Sequence, residues 1–226
     1  MKTLITGSEG FIGKRLMKEI GGTGIDIRLG LDLLTCPLPD ADVVYHLAAQ
    51  SDVRHSWEDP LHDLDNIRIT ARIAHNYPQA KVVYANSCAS VDPKSPYGFS
   101  KKASGEYLEI FHGNTVNCVF PNIFGPGSRS VVDIFKGKSE VVVFGDGTQT
   151  RDYVHVDDII RGLILAKDWE RGTYFMGSGH STSVLDLAEG KYVTAEPGKQ
   201  EAHDVEVPNT TPNWRPHINV LEYLHD

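Results

Sequence analysis

Cysteine, basic residues and long apolar runs are all scarce in this sequence, and each scarcity excludes a class of protein. The three cysteines, Cys36, Cys88 and Cys118, are too widely separated for a zinc site or a disulfide framework, so we expect no metal. Lys and Arg number 22 against 30 Asp and Glu, and the net charge of −8 argues against a nucleic-acid partner. No apolar run has the length of a membrane-spanning helix. The N-terminus enters a strand without a signal-peptide pattern, so we expect a cytoplasmic protein without a membrane partner.

A glycine-rich turn follows the first β-prone run, Lys2–Thr6. Three glycines stand in the segment Gly7–Gly13, at positions 7, 10 and 13. In a dinucleotide-binding turn, one glycine permits the tight bend, one lets the backbone approach a pyrophosphate, and one lets helix pack on strand. The helix that follows points its N–H groups at the phosphates. The position of this turn after the first strand therefore predicts a dinucleotide cofactor.

The second predicted strand is Ile25–Leu31, and the residue that follows it is Asp32, nineteen positions after Gly13. A carboxylate at this place accepts hydrogen bonds from the adenosine ribose hydroxyls. The alternative is a surface Asp in a loop, because a Pro-containing segment follows directly. NAD is the predicted cofactor, and NADP stays open because Lys14, Arg15 and Arg28 lie near enough to suggest a 2′-phosphate.

Apolar strands alternate with amphipathic helices in the first half of the chain. The pattern predicts strands at 42–49, 81–85 and 116–120 and helices at 60–76 and 96–111. This alternation indicates an α/β fold with a Rossmann-like, doubly wound parallel sheet. After Phe124, glycine-rich turns and short segments indicate a small C-terminal lobe. We expect an NAD(P)-binding domain of residues 1–125 with about 153–172, and a substrate-binding lobe of about 126–152 with 173–226.

Tyr97 and Lys101 are four residues apart on one face of a predicted helix. An ammonium group beside a phenol lowers the pKa of the tyrosine, which suits proton transfer. Ser87 ends a strand, where its hydroxyl can share the transferred proton. A half-buried Tyr with a surface Lys is the alternative for the pair alone. The combination with Ser87 and the glycine turn is much rarer by chance.

These motifs together resemble the extended short-chain dehydrogenases/reductases of the NAD-dependent epimerase/dehydratase family, over nearly the whole chain. Similarity extends to the family's cofactor loop, its fourth-strand signature and the segment after it, its active-site motif, and its nucleotide-sugar turn. The matching segments are Thr6–Gly13, His46–Gln50, Val53–Pro60, Ser95–Lys101 and Pro121–Pro126. The most specific match is Phe144–Asp158, and Asp204 with Trp214 fits the family's tail.

The resemblance implies roles for individual residues. The active-site motif implies that Tyr97 and Lys101 are catalytic, together with Ser87 at the end of the preceding strand. Cofactor contacts are implied for Gly7, Gly10, Phe11, Ile12, Gly13, Asp32, Leu47, Ala48, Ala49, Tyr97, Lys101 and Pro121. Substrate contacts are implied for Ser87, Asn122 and Arg151, the last of which corresponds to the arginine that contacts the nucleotide diphosphate. The implied partners are a nucleotide-diphosphate sugar and a second copy of the chain in a homodimer.

Departures from the family pattern narrow the function. Cys88 and Ala89 follow Ser87, where dehydratases of the family usually carry an acidic pair. Where many members have Arg-Pro-Gly-Asp, this chain has the segment 196–199 with charges reversed. We therefore predict 4-epimerisation of a nucleotide sugar through a transient 4-keto intermediate. The alternatives are a nucleotide-sugar reductase or dehydratase, and a non-catalytic NAD(P)-binding module.

Overall fold

A computed structural model describes residues 1–195 and 206–225 of the chain. The charge-reversed segment 196–199 and Asp204 lie outside the described residues. The chain divides into two compact units: the first is Met1–Val119 with Leu163–Tyr174, and the second is Phe120–Gly162 with Phe175–Asp226. No helix in the described ranges combines the length and the apolar character needed to cross a bilayer.

Strands and helices alternate along the chain, as the sequence pattern predicted. The strands are β1 (Thr3–Thr6), β2 (Thr23–Ile25), β3 (Val43–His46), β4 (Lys81–Ser87), β5 (Thr115–Phe120), β6 (Asn122–Phe124), β7 (Val141–Phe144), β8 (Thr150–His155), β9 (Gly172–Phe175), β10 (Ser181–Ser183) and β11 (Tyr192–Ala195). The helices are α1 (Phe11–Ile20), α2 (Val53–Glu58), α3 (Pro60–Asn76), α4 (Pro96–Phe111), α5 (Val131–Phe135), α6 (Val156–Ala166), α7 (Val184–Ala188) and α8 (Val220–His225).

A six-stranded sheet in the order β2-β1-β3-β4-β5-β9 forms the centre of the first unit. The pairings β1–β2, β1–β3 and β3–β4 are parallel. After β2 the chain returns to the other side of β1, so the strand order reverses between β1 and β3. Ligands of open α/β sheets bind outside the carboxyl ends of the strands at such a reversal. The predicted α/β fold with a doubly wound parallel sheet is confirmed.

The strands of this sheet are buried on both faces. Leu4, Val44 and Val82 are buried on the face packed by α3 and α4, where Ile73 and Leu108 join them. Their neighbours along the strands, which point to the opposite face, are buried as well. Continuous burial of this kind is typical of parallel strands sandwiched between helices. Helices α3 and α4 have the bounds that apolar periodicity predicted.

The predicted strand Ile25–Leu31 is wrong beyond its first residue. Strand β2 ends at Ile25, and Ile27–Leu29 form a 3₁₀ turn. The Asp26 side chain accepts a hydrogen bond from the Arg28 N–H at the start of this turn, and Gly30 ends it in the left-handed region, with φ 74°. Ile27 and Leu29 are 74% and 53% exposed. Ile25, Ile27 and Leu29 alternate with other residues as in a strand, but only Ile25 is buried.

The second unit contains two small sheets. One has the order β10-β8-β6 and the other pairs β11 with β7 in parallel. Its core gathers Phe124, Val143, Tyr153 and Leu187 with residues of α5 and α8. Trp214 is buried, and its indole N–H donates to the carbonyl of Asp158 at 2.8 Å.

Candidate active site

The turn between β1 and α1 admits no side chain at two of its three glycines. A Cβ on Gly13 would lie 2.0 Å from the Gly7 carbonyl oxygen. Gly7 itself has φ +69°, and a Cβ there would meet the Ala48 nitrogen at 2.8 Å. Gly10 is the N-cap of α1 and has no side chain to cover the first N–H groups of the helix. The turn therefore fits the backbone-lined pyrophosphate cradle that the sequence predicted.

Small residues follow β3 at the same edge of the sheet. The Ala48 N–H donates to the Thr6 hydroxyl at 3.2 Å, and the Leu47 N–H donates to the Thr6 carbonyl at 3.2 Å. Leu47, Ala48 and Ala49 are all half-buried. The structure thus brings these predicted cofactor contacts against the glycine turn, at the reversal between β1 and β3.

Asp26, which the sequence analysis did not select, is a carboxylate that hydrogen-bonds the glycine turn. It directly follows β2 and accepts a hydrogen bond from the Glu9 N–H at 2.9 Å. Asp32 instead accepts from the Leu34 N–H at 2.8 Å, within the loop that follows the 3₁₀ turn. Asp26 was missed because strand 2 was predicted to end at Leu31, six residues beyond its observed end at Ile25. Counting from the true strand end would have found it.

The three basic residues that left NADP open have partners of their own. Lys14 pairs with Glu9 at 3.1 Å, and Arg28 donates to the Glu9 carbonyl at 2.5 Å. Arg15 donates to the Phe11 carbonyl at 3.0 Å and lies over the Phe11 ring. All three contacts are made with residues of the glycine turn and the first turn of α1.

Helix α4 positions Tyr97 through contacts at its first turn. The Ser95 hydroxyl accepts from the Gly98 N–H, and Pro96 occupies the first helical position. The Tyr97 N–H donates to the buried hydroxyl of Ser56 on α2 at 2.7 Å. A Cβ on Gly98 would lie 2.5 Å from the Ala89 carbonyl, so α4 packs closely on the turn after β4. Ser56 belongs to the Val53–Pro60 match, a signal that could have indicated its role.

Ser87 is the last residue of β4 and lies beside the Tyr97 phenol. Its N–H donates to the side-chain oxygen of Asn86 at 2.8 Å, and its hydroxyl accepts from the Ala89 N–H at 3.2 Å. Burial raises the pKa of Tyr97 to about 12, and a hydrogen bond with the Ser87 hydroxyl opposes that rise. The Ser87 and Tyr97 hydroxyls therefore lie near each other in the first unit, and their shared role in proton transfer stays a prediction.

Lys101 is a buried residue of α4. The alternative for the Tyr/Lys pair, a lysine on the surface, is therefore wrong. It is 4% exposed, donates to the Ala85 carbonyl at 2.5 Å, and lies 4.2 Å from the centre of the Tyr84 ring. Burial lowers the pKa of Lys101 to about 7. The expected lowering of the Tyr97 pKa by Lys101 is wrong for the protein alone, because desolvation of the phenol outweighs it and the ammonium group bonds elsewhere.

Asn122, Arg151 and Pro121 belong to the second unit. Asn122 begins β6, pairs with Tyr153 of β8, and donates from its side chain to the Asp152 carbonyl at 3.4 Å. Arg151 is half-buried and faces Thr182 across the β8–β10 pair. Pro121 is buried between β5 and β6 in the chain.

Asp152 anchors the segment beside Arg151. It is fully buried, and both of its oxygens accept hydrogen bonds from the backbone and hydroxyl of Ser178 at 2.6–3.2 Å. Burial raises the pKa of Asp152, and the Ser178 hydroxyl, with backbone N–H groups, opposes the rise. The carboxylate therefore ties β8 to the segment after β9, which fixes the backbone on which Arg151 stands.

Comparisons with known proteins agree with this arrangement. The sequence profile of the NAD dependent epimerase/dehydratase family matches residues 3–175. The chain belongs to that family. A UDP-glucose 4-epimerase of Mycolicibacterium smegmatis is 31% identical over 83% of this chain and 80% of its own length. A UDP-glucuronate 4-epimerase of Thermodesulfobacterium geofontis is 28% identical over 80% of this chain and 69% of its own.

A solved structure with a similar fold is MoeE5 in complex with UDP-glucuronic acid and NAD. It is 25% identical, has a TM-score of 0.84, and the match covers 100% of this chain and 97% of that one. Membership of the epimerase/dehydratase family confirms the predicted enzyme class and NAD as the cofactor. The residue-level roles remain predictions.

Proposed function

We propose that this protein is an NAD-dependent 4-epimerase of a nucleotide-diphosphate sugar. The observation that carries the proposal is the Ser87–Tyr97 pair, with buried Lys101 on the same helix, in the unit that holds the glycine turn. A hydroxyl pair at the carboxyl end of a sheet strand suits proton transfer to and from a sugar hydroxyl. The names of the related 4-epimerases support the same chemistry.

The chain's own residues divide the work as follows. When bound, NAD supplies reversible hydride acceptance, and the glycine turn with Leu47–Ala49 would hold it. Tyr97 takes the proton of the sugar 4-hydroxyl at its phenol oxygen and later returns it. Ser87 hydrogen-bonds the reacting oxygen and shares that proton. Because burial raises the pKa of Tyr97 to about 12, the phenolate needs positive charge nearby. In the protein alone Lys101 donates to the Ala85 carbonyl, and it would supply part of that charge, from the same helix, once cofactor and substrate are bound.

Substrate binding is proposed for Asn122 and Arg151, and the UDP sugars of the related proteins are the first compounds to test. An arginine guanidinium can bind a diphosphate with two parallel hydrogen bonds. We expect Arg151→Ala to weaken UDP-sugar binding by roughly 1.5–3 kcal/mol, the range for a hydrogen bond to a charged group. NAD affinity should not change. The exposed α3 arginine, as Arg68→Ala, is the control, and equal binding by both variants would remove Arg151 from the site.

Product analysis separates the epimerase from its alternatives. The protein with NAD is incubated with UDP-glucose or UDP-glucuronic acid, and the sugar is followed by NMR. We expect the 4-epimer and no net reduction of cofactor. A reductase acting in reverse would reduce NAD in proportion to the keto sugar formed, and a dehydratase would release a 4-keto-6-deoxy sugar from UDP-glucose. Recovery of unchanged sugar with tight NAD binding would support the non-catalytic module and contradict the proposal.

We also propose that the protein forms a homodimer through α3 and α4. These helices expose large apolar side chains in addition to the faces they bury: Leu61, Leu64, Phe99, Ile110 and Phe111 are 46–74% exposed. Exposed apolar patches of this kind mark interaction surfaces. Light scattering should give the dimer mass at micromolar concentration and the monomer mass for Ile110→Asp. A monomeric mass for the unmodified protein would overturn the assignment.

A further inference from the structure

Two histidines and an aspartate converge at the corner between α2 and α3. Single ligand atoms of His55, Asp59 and His62 all lie within 4.8 Å of one another, and all three side chains are exposed. The two imidazole rings meet edge to face with centroids 5.7 Å apart. The group lies on the surface of the first unit, and none of its members belongs to the candidate active site.

The corner itself brings the three residues together. His55 is in the last turn of α2, Asp59 is both the C-cap of α2 and the N-cap of α3, and Pro60 begins α3. The Asp59 N–H donates to the His55 carbonyl at 2.9 Å, and the His62 N–H donates to the Asp59 carbonyl at 3.3 Å. Spacings of four and three residues across the bend therefore place all three side chains on one side of the corner.

The donor set matches the requirements of a divalent transition metal. Two imidazoles and one carboxylate form the ligand set of many zinc sites and of the 2-His-1-carboxylate iron sites. Tetrahedral ligands at 2.0–2.2 Å from zinc are about 3.4 Å apart. Side-chain rotations that move the exposed ligand atoms by roughly an ångström would therefore bring all three to coordination distance. Glu58, 3.6 Å from Nδ1 of His55, can orient that imidazole as an outer-sphere carboxylate.

A buried carboxylate beneath the corner adds to its attraction for cations. Asp63 is 1% exposed, and neither of its oxygens makes a hydrogen bond of good geometry with a residue in the described ranges. Asp63 directly follows His62 on α3, so this buried carboxylate lies next in the chain to one of the three residues of the corner.

We propose that His55, Asp59 and His62 bind one divalent transition metal ion, such as Zn²⁺, outside the active site. The remaining coordination positions are open to water. The ion would join the end of α2 to the start of α3 and so fix α2, whose buried Ser56 accepts the hydrogen bond from the Tyr97 N–H. Its role is structural: it restrains the element that supports the first turn of α4, and it takes no part in the reaction.

Direct binding to the intact protein tests the site without any measurement of activity. The chain is freed of metal with a chelator and titrated with Zn²⁺ by calorimetry, and with Co²⁺ by visible absorbance. We expect one ion per chain, with the absorbance of a nitrogen- and oxygen-ligated Co²⁺. His55→Gln and His62→Gln should each weaken binding at least tenfold, since loss of even an outer-shell partner typically costs 10–100-fold.

His75→Gln is the matched control, because His75 is exposed on α3 away from the corner. It should bind Zn²⁺ like the unmodified chain. Thermal unfolding without metal checks the fold of each variant, and added Zn²⁺ should raise the melting temperature of the unmodified chain and of His75→Gln only. Binding that survives both corner substitutions, or a Co²⁺ spectrum dominated by sulfur ligation from Cys88, would overturn the assignment. An absence of binding below millimolar Zn²⁺ would do the same.

Discussion

Tyr97 is held through its backbone N–H, which donates to the Ser56 hydroxyl at 2.7 Å, and its phenol lies near the Ser87 hydroxyl. Because its position depends on the backbone contact and its chemistry on the phenol oxygen, removing only that oxygen should leave the site intact. We expect Tyr97→Phe to lower turnover by roughly 10²–10⁴-fold, the usual contribution of a general acid–base group. NAD affinity should be nearly unchanged. Steady-state rates with a UDP sugar and an NAD titration provide the two measurements, and a Phe variant with most of its activity would rule out Tyr97 as the base.

Asp26 and Asp32 offer a comparison between two carboxylates six residues apart. Asp26 bonds the glycine turn through the Glu9 N–H, whereas Asp32 bonds Leu34 in the following loop. We expect Asp26→Asn to weaken NAD binding by roughly 1.5–3 kcal/mol, because an amide replaces a charged acceptor. Asp32→Asn should bind NAD like the unmodified protein. Calorimetric titration of both variants decides, and the reverse result would identify Asp32 as the ribose contact.

For single residues, the candidate site residues were easier to predict than the burial and contacts of their side chains. Ser87, Tyr97 and Lys101 were found from strand ends and helix spacing, and the structure brings the two hydroxyls together. The low exposure of Lys101 and its bond to the Ala85 carbonyl depend on how α4 packs against β4, which local sequence does not encode. Asp26 was missed because a strand boundary was misplaced.

The β1–α1 turn is the element on which cofactor binding depends most directly. A Cβ at position 13 would lie 2.0 Å from the Gly7 carbonyl oxygen, so the turn must open to accept it. We expect Gly13→Ala to destabilise the protein by roughly 1–3 kcal/mol, as overpacking does, and to abolish measurable NAD binding. Gly113→Ala is the control, because a Cβ there meets nothing within 4 Å.

Urea unfolding measures the first effect and an NAD titration the second. The control should stay within roughly ±0.5 kcal/mol of the unmodified protein, as surface substitutions usually do. Normal NAD affinity in Gly13→Ala would show that the turn accommodates a methyl group and that the close approach is not required.

Helices were more predictable than strands because their apolar stripes repeat over four or more turns. The bounds of α3 and α4 follow from such stripes and from a proline at the first helical position of each. The segment after Ile25 shows the converse, since three alternating apolar residues also suit an exposed 3₁₀ turn. The His55–Asp59–His62 corner was missed because only cysteine spacings were considered for a metal.

For the whole molecule, the order of elements was predictable, whereas the strand pairing within the second unit was not. Pairing of Asn122 with Tyr153 joins residues far apart in sequence, and neither segment carries a local sign of the other. The α/β class followed from alternation alone, because parallel strands need helical crossovers.

Acid stability is a property of the whole fold that one buried histidine should dominate. His46 is fully buried at the end of β3, with Nδ1 2.8 Å from the Thr6 hydroxyl and Nε2 3.0 Å from the Thr70 hydroxyl. Thr70 donates its own proton to the Asn66 carbonyl, so it accepts from Nε2–H. Nδ1 then accepts from Thr6, and protonation of Nδ1 would break that bond.

Burial, with Lys101 acting in the same direction, lowers the pKa of His46 to about 3 from the ordinary 6.5. The unfolded chain therefore binds a proton between pH 6.5 and 3 that the folded chain does not. Stability attributable to His46 is full above pH 6.5 and is lost as the pH falls toward 3, by about 1.4 kcal/mol per pH unit. Urea unfolding at a series of pH values should show this slope. It should flatten in His46→Gln, even if that variant is less stable at pH 7, and persist in the exposed control His75→Gln. Equal slopes in all three proteins would mean that other groups govern acid unfolding.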